Sequence, residues 1–228
     1  MGVRARTCTL ACMLAACVGC TGQNFYTTPR TLGDDRGQAI LAPQVVLGPN
    51  LAVGCDDSKP PHCVGESSAL PLLHAAYRKG VGERGEVGLH GGVDAFGFDA
   101  KWNAIRSTYV DLALAGRLSI ALYSLHAHRL ETSTAQSGAL LHLPVMLGFN
   151  AGSFTFVASP GYTAVGDATG RLTHALRIGA GVQARISSGF ALMPEASLLH
   201  DVHGPIWLDS VTLGLGFLFP NLPDSSTH

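Results

Sequence analysis

Residues 176–187 read Leu-Arg-Ile-Gly-Ala-Gly-Val-Gln-Ala-Arg-Ile-Ser. The even positions Leu176, Ile178, Ala180, Val182, Ala184 and Ile186 are apolar, and the odd positions Arg177, Gly179, Gly181, Gln183, Arg185 and Ser187 are polar or glycine. A period of two marks a strand with two unlike faces, and no helical stripe fits it. The pattern repeats outward along the chain. Val110, Leu112, Leu114, Leu118 and Ile120 oppose Asp111, Ala113, Arg117 and Ser119; Leu141, Leu143, Val145, Leu147 and Phe149 oppose His142, Gly148 and Asn150. Strands are predicted over 38–47, 69–78, 85–91, 95–105, 110–123, 138–150, 154–163, 173–187, 190–200 and 207–219. The expected fold is all-β, an antiparallel up-and-down transmembrane β-barrel of about ten strands (eight to twelve by the number of alternating segments). Its connectors alternate between short turns and longer segments such as 48–68, 124–137 and 164–172. The short Gly91–Asp94 connector breaks that alternation.

Composition narrows the class. The 228 residues carry a formal charge of -1, and only 14% are charged, against about 25% in ordinary soluble domains. No basic stripe suggests nucleic acid, and no apolar run reaches the ~18 residues of a membrane helix. A soluble barrel also alternates, with its apolar face inward. Three features favour lipid outside. The polar face is rich in glycine (Gly97, Gly148, Gly179, Gly181, Gly214, Gly216), which weakens a water-facing strand but suits a crowded lumen. Its charges nearly balance, with Lys101, Arg117, Arg177 and Arg185 against Glu86, Asp99, Asp111 and Glu195, and they are expected to bridge a narrow, packed lumen. Apolar-face aromatics gather at strand ends, with Tyr77, Trp102, Phe149, Phe154, Phe190 and Phe219 at one rim and Phe96, Tyr162 and Trp207 at the other, as two interfacial girdles would.

The amino terminus has the form of an export signal. Arg4 and Arg6 precede a small, uncharged run from Thr7 to Cys20. Leu14-Ala15-Ala16-Cys17 resembles a lipobox, and Cys20 offers a second, weaker one followed directly by the polar stretch TGQNFYTTPRTLG. Lipidation is expected at Cys17 or Cys20. Neither cysteine is followed by aspartate, the residue of an inner-membrane retention signal. Cys55 and Cys63 bracket CDDSKPPHC and are expected to form a disulfide in an exported chain. A zinc site using His62 is the weaker alternative, since no second ligand pair follows. The organisation predicted is signal and anchor over 1–20, polar linker over 21–37, barrel over 38–219 and tail over 220–228.

With the leader LAACVGC, the segment TGQNFYTTPRTL and alternation running to Phe219, the chain resembles small lipid-anchored outer-membrane β-barrel proteins of Gram-negative bacteria. That resemblance implies the cell outer membrane as its location. It implies the lipid bilayer, the outer-membrane assembly machinery and the lipoprotein machinery as partners. The tail PNLPDSSTH after Phe219 departs from barrels that end on an aromatic. No cofactor, metal or nucleic acid is expected, and a structural, interaction or small-channel role is expected rather than an enzyme. Two alternatives stand beside it. One is a lipid or peptide hydrolase at the outer rim using Ser124 with His126, although no third orienting group completes a triad; His126 and His128, two apart with Glu131 nearby, also have the spacing of metal ligands, against which stands a plain solvated loop. The other is a soluble, lipid-tethered, ligand-binding barrel.

Overall fold

The computed structural model describes residues 24–48, 68–92, 95–125, 134–167, 172–202 and 210–221. Ten strands follow one another as β1 Gly37–Gly48, β2 Ser68–Val81, β3 Gly85–Gly92, β4 Ala95–Arg106, β5 Val110–Leu125, β6 Thr134–Ala151, β7 Phe154–Asp167, β8 Leu172–Ser187, β9 Phe190–Asp201 and β10 Ser210–Asn221. Each pairs antiparallel with its sequence neighbours, and β1 pairs with β10 to close the barrel. Closure leaves no unpaired edge. The expected strand number is met. β6 begins four residues earlier than the alternation suggests, because Thr134–Ser137 continue the ladder against Leu122–Leu125 past the apolar stretch.

One end of the barrel carries the turns 82–84, 107–109, 152–153 and 188–189 (the turn end). The other carries the connectors 49–67, 93–94, 126–133, 168–171 and 202–209 (the loop end). The 93–94 connector is short although it lies at the loop end, as its sequence implied.

The faces separate cleanly. Every strand exposes at least one large apolar side chain outward: Leu41, Leu73, Leu89, Phe98, Leu114, Leu143, Phe156, Ile178, Leu198 and Leu213, taken in strand order. Lys79, near the turn end, is the one Asp, Glu, Lys or Arg at the outward positions of the described strands. Tyr77, Trp102, Phe149, Phe154 and Phe219 project outward toward the turn end, and Phe96 and Tyr162 toward the loop end. Trp207 lies outside the described residues. Inward, the wall presents Arg78, Glu86, Asp99, Lys101, Arg117, Arg177 and Glu195, all buried.

The segment read from sequence as a polar linker corrects the domain plan. Asn24, Phe25, Tyr26, Thr27, Pro29 and Thr31 are buried inside the barrel. Eight-stranded barrels are already filled by their own side chains. Ten strands enclose more space, and here one irregular stretch of chain occupies it. Ile40, Ala113, Met146, Val157, Met193 and Leu218 of the wall form one apolar cluster with Tyr26 of that stretch.

Candidate functional site

The site is the contact between this threaded segment and the lumen wall. An irregular chain in a closed barrel has no ladder to satisfy its backbone, so side chains must do it. Glu195 accepts the N–H groups of Phe25 and Tyr26 at 2.9 and 2.6 Å. Arg78 donates to the carbonyls of Phe25 and Tyr26 at 2.8 and 3.3 Å. Arg117 donates to the Asn24 carbonyl at 3.0 Å. Lys101 Nζ reaches Thr27 Oγ1 and the Thr28 carbonyl, both at 2.8 Å. Asn103 donates to the Pro29 carbonyl, and Glu86 accepts the Leu32 N–H.

The same wall groups pair with each other. Arg177–Glu195 is 2.9 Å, Arg78–Asp99 3.1 Å and Lys101–Glu86 3.0 Å. Asp111 joins the segment by pairing with Arg30 at 3.0 Å and accepting from Asn150 at 2.7 Å. Charges buried at this depth are tolerated only when paired and hydrogen-bonded. Arg117 is the least compensated: its closest carboxylate, Asp99, is 3.6 Å away and is shared with Arg78. The Phe25 ring supplies what the carboxylates do not. Arg117 lies 3.8 Å from its centroid and Arg177 5.1 Å, so two guanidiniums flank one aromatic. Arg185 takes no part in this network. It is exposed at the turn end and lines an open cavity of about 670 Å³ with Arg30, Arg36, Arg106 and Gln183.

Wall glycines are the sockets for the segment. A Cβ at Gly214 would lie 1.8 Å from the Tyr26 hydroxyl oxygen, and one at Gly216 2.8 Å from the Tyr26 ring. A Cβ at Gly148 would meet Pro29 at 2.9 Å. Tyr26 itself sits at φ 48°, a left-handed conformation that a tyrosine adopts only when its surroundings fix it. Its hydroxyl donates to Gln44 Oε1 at 3.2 Å.

Toward the loop end the lumen holds His74, His90, His142, Ser119 and Thr163, all buried. His90 Nε2 is 2.9 Å from Ser119 Oγ, and His90 Nδ1 is 3.6 Å from Asp99 Oδ2. These are the residue types of a hydrolytic triad. Both Asp99 oxygens, however, also accept from Arg78, at 3.1 and 3.2 Å. Ser124 lies in β5 opposite Ala135. His126, His128, Glu131, His62, Cys17, Cys20, Cys55 and Cys63 lie outside the described residues, so the rim cluster, the disulfide and the lipidation sites have no placement here. Among the described residues no three metal-ligating side chains converge.

Phe25 and Tyr26, the two anchors of the segment, were missed by the sequence reading, as was Arg78. The available signal was an adjacent aromatic pair in an otherwise polar stretch, facing a wall rich in glycine.

No family model matches the chain, and no curated protein matches it. Solved structures do resemble it. The attachment invasion locus protein Ail of Yersinia pestis aligns at 11% identity and TM-score 0.36, covering 83% of this chain and 100% of Ail. The outer membrane protease OmpT of Escherichia coli aligns at 10% identity and TM-score 0.40, covering 88% and 100%. The translocator domain of the autotransporter NalP from Neisseria meningitidis aligns at 11% identity and TM-score 0.42, covering 95% and 96%. Likeness at this level says nothing of activity.

Proposed function

We propose that this chain is a non-conducting outer-membrane barrel, closed by its own amino-proximal segment, with a structural or interaction role. The observation that carries this reading is the inversion of polarity. Large apolar side chains are exposed on all ten strands while charged groups are packed inside, whereas an ordinary soluble monomer exposes only a few hundred Å² of contiguous apolar surface. An even strand number, short turns at one end and longer connectors at the other fit bacterial outer-membrane barrels. The same reading keeps lipidation at Cys17 or Cys20 and a Cys55–Cys63 disulfide as proposals. Palmitate labelling is expected to persist in one of Cys17→Ala and Cys20→Ala and to vanish in the double variant. Full labelling of the double variant would contradict the anchor.

Conductance tests the closed lumen. The intact protein is expected to give no steady current in planar bilayers. Removing residues 24–32 takes away Phe25, Tyr26 and Pro29 together and is expected to open an ion path. Stable channels from the intact protein would contradict the closed state.

The Ser119–His90 contact favours one second reading, a serine hydrolase of the lumen. Asp99 is committed to Arg78, so a fluorophosphonate probe is expected not to label Ser119 in the folded protein. Labelling that disappears in Ser119→Ala would favour the hydrolase instead.

A further inference from the structure

The threaded segment has a direction. At its carboxyl side, Leu32 binds Glu86 one residue into β3, and Arg30 pairs with Asp111 one residue into β5, both at the turn end. Pro29 meets Gly148, three residues from the turn-end residue Ala151 of β6. Thr27 meets Lys101, five residues from the turn-end residue Arg106 of β4. Asn24 is higher still. It is held by Arg117, Glu195 and Ser197, which are seven, five and seven residues from the turn ends of their strands. Read from residue 32 back to residue 24, the chain climbs from the turn end to mid-barrel.

Between mid-barrel and the open turn-end cavity the lumen is closed by one packed layer: Asn103, Met146, Met193 and Leu218, beside Tyr26 of the segment, are at most 1% exposed. A second passage of chain beside the first would have to displace that layer. Upward, the rim is close. Ser197 and Glu195 are four and six residues below Asp201, a climb of about 10–15 Å for a strand tilted as in such barrels. Four residues of extended chain, the separation of Cys20 from Asn24, span roughly 13 Å, and the seven from Cys17 roughly 24 Å.

We infer that the chain preceding Asn24 leaves the lumen at the loop end, so that the lipid-modification site lies on the side of the membrane opposite the short turns. The inference rests on the reading of the chain as a membrane-spanning lipoprotein barrel. With the turns periplasmic, the acyl chains enter the outer leaflet at the cell surface. The barrel then encloses its own anchor: the chain passes through the lumen it helps fill, with lipid fixed at one side and β1 at the other.

Three single-tag proteins test this in intact and permeabilised cells. An epitope is inserted between Thr21 and Gly22, in the 168–171 connector, or in the 152–153 turn, and folding is checked by heat-modifiable gel mobility. Antibody is expected to bind the first two tags equally on intact cells, and the turn tag only after permeabilisation. A 21–22 tag that behaves like the turn tag, with the two references on opposite sides, overturns the inference alone. References that report the same side overturn the membrane-spanning reading and the inference with it. If the 21–22 insertion prevents folding, Thr21→Cys in a Cys55→Ser, Cys63→Ser background replaces it. Labelling by an impermeant maleimide in intact cells above the level of the parent supports the inference. Excess labelling found only after permeabilisation overturns it.

Discussion

Glu195→Ala is expected to destabilise the folded barrel by about 3–5 kcal/mol, the cost of stranding a buried charge by removing its partner. Arg177 is 1% exposed, and its carboxylate partner is Glu195 at 2.9 Å. The same substitution strips the acceptor from the Phe25 and Tyr26 N–H groups. Loss of both should loosen the segment as well as the wall. Glu195→Gln keeps one acceptor oxygen but no charge, and should fall between Ala and wild type. Adding Arg177→Met to Glu195→Ala removes the stranded cation and should recover part of the loss, giving a double-mutant cycle with strong coupling. Urea unfolding in detergent micelles measures all five proteins: wild type, Glu195→Ala, Glu195→Gln, Arg177→Met and the double variant. A Glu195→Ala loss below about 1 kcal/mol, the worth of an exposed ion pair, would contradict the buried network.

Ile178→Arg tests the outer face, with an expected cost of about 2–4 kcal/mol for a cation at mid-membrane depth. Ile178 lies near the middle of β8 and is 61% exposed. In a soluble barrel an exposed isoleucine could become arginine at almost no cost. Ile186→Arg provides the depth control. Ile186 is as exposed, at 62%, but lies one residue from the turn end, where the cost should fall to about 0–1 kcal/mol. The contrast between the two, read from unfolding in lipid vesicles, is the signature of a bilayer. Equal, small effects at both sites would point to water.

How much of this was legible in the sequence differs between wall and lumen. The wall was legible because a strand with unlike faces writes its period into every second residue. Arg177 and Ile178, neighbours in sequence, end at 1% and 61% exposure. Boundaries were less legible, since hydrogen bonding continues where the apolar pattern stops, as at Thr134–Ser137 of β6. The threaded segment was the hard part. Residues 24–32 are irregular and polar, and irregular chain has no period to read. Its burial is dictated from the other side, by a wall that holds Gly148, Gly214 and Gly216 where Pro29 and Tyr26 must fit. The glycine-rich lumen face was visible in the sequence, but what filled it was not. The charges on that face were likewise visible. Their second task, supplying hydrogen bonds to a backbone without a ladder, depends on contacts between residues up to 170 positions apart.

The direct test of the account places an environment-sensitive fluorophore on single cysteines, Ile178→Cys and Gln183→Cys, in a background with all six native cysteines replaced by serine, refolded and reconstituted into vesicles. Ile178 faces outward at mid-strand and Gln183 lines the turn-end cavity. Brominated acyl chains should quench the fluorophore at 178 and leave 183 bright, while aqueous iodide should do the reverse. Iodide quenching at 178 with no effect of the brominated lipid would contradict a membrane-spanning barrel.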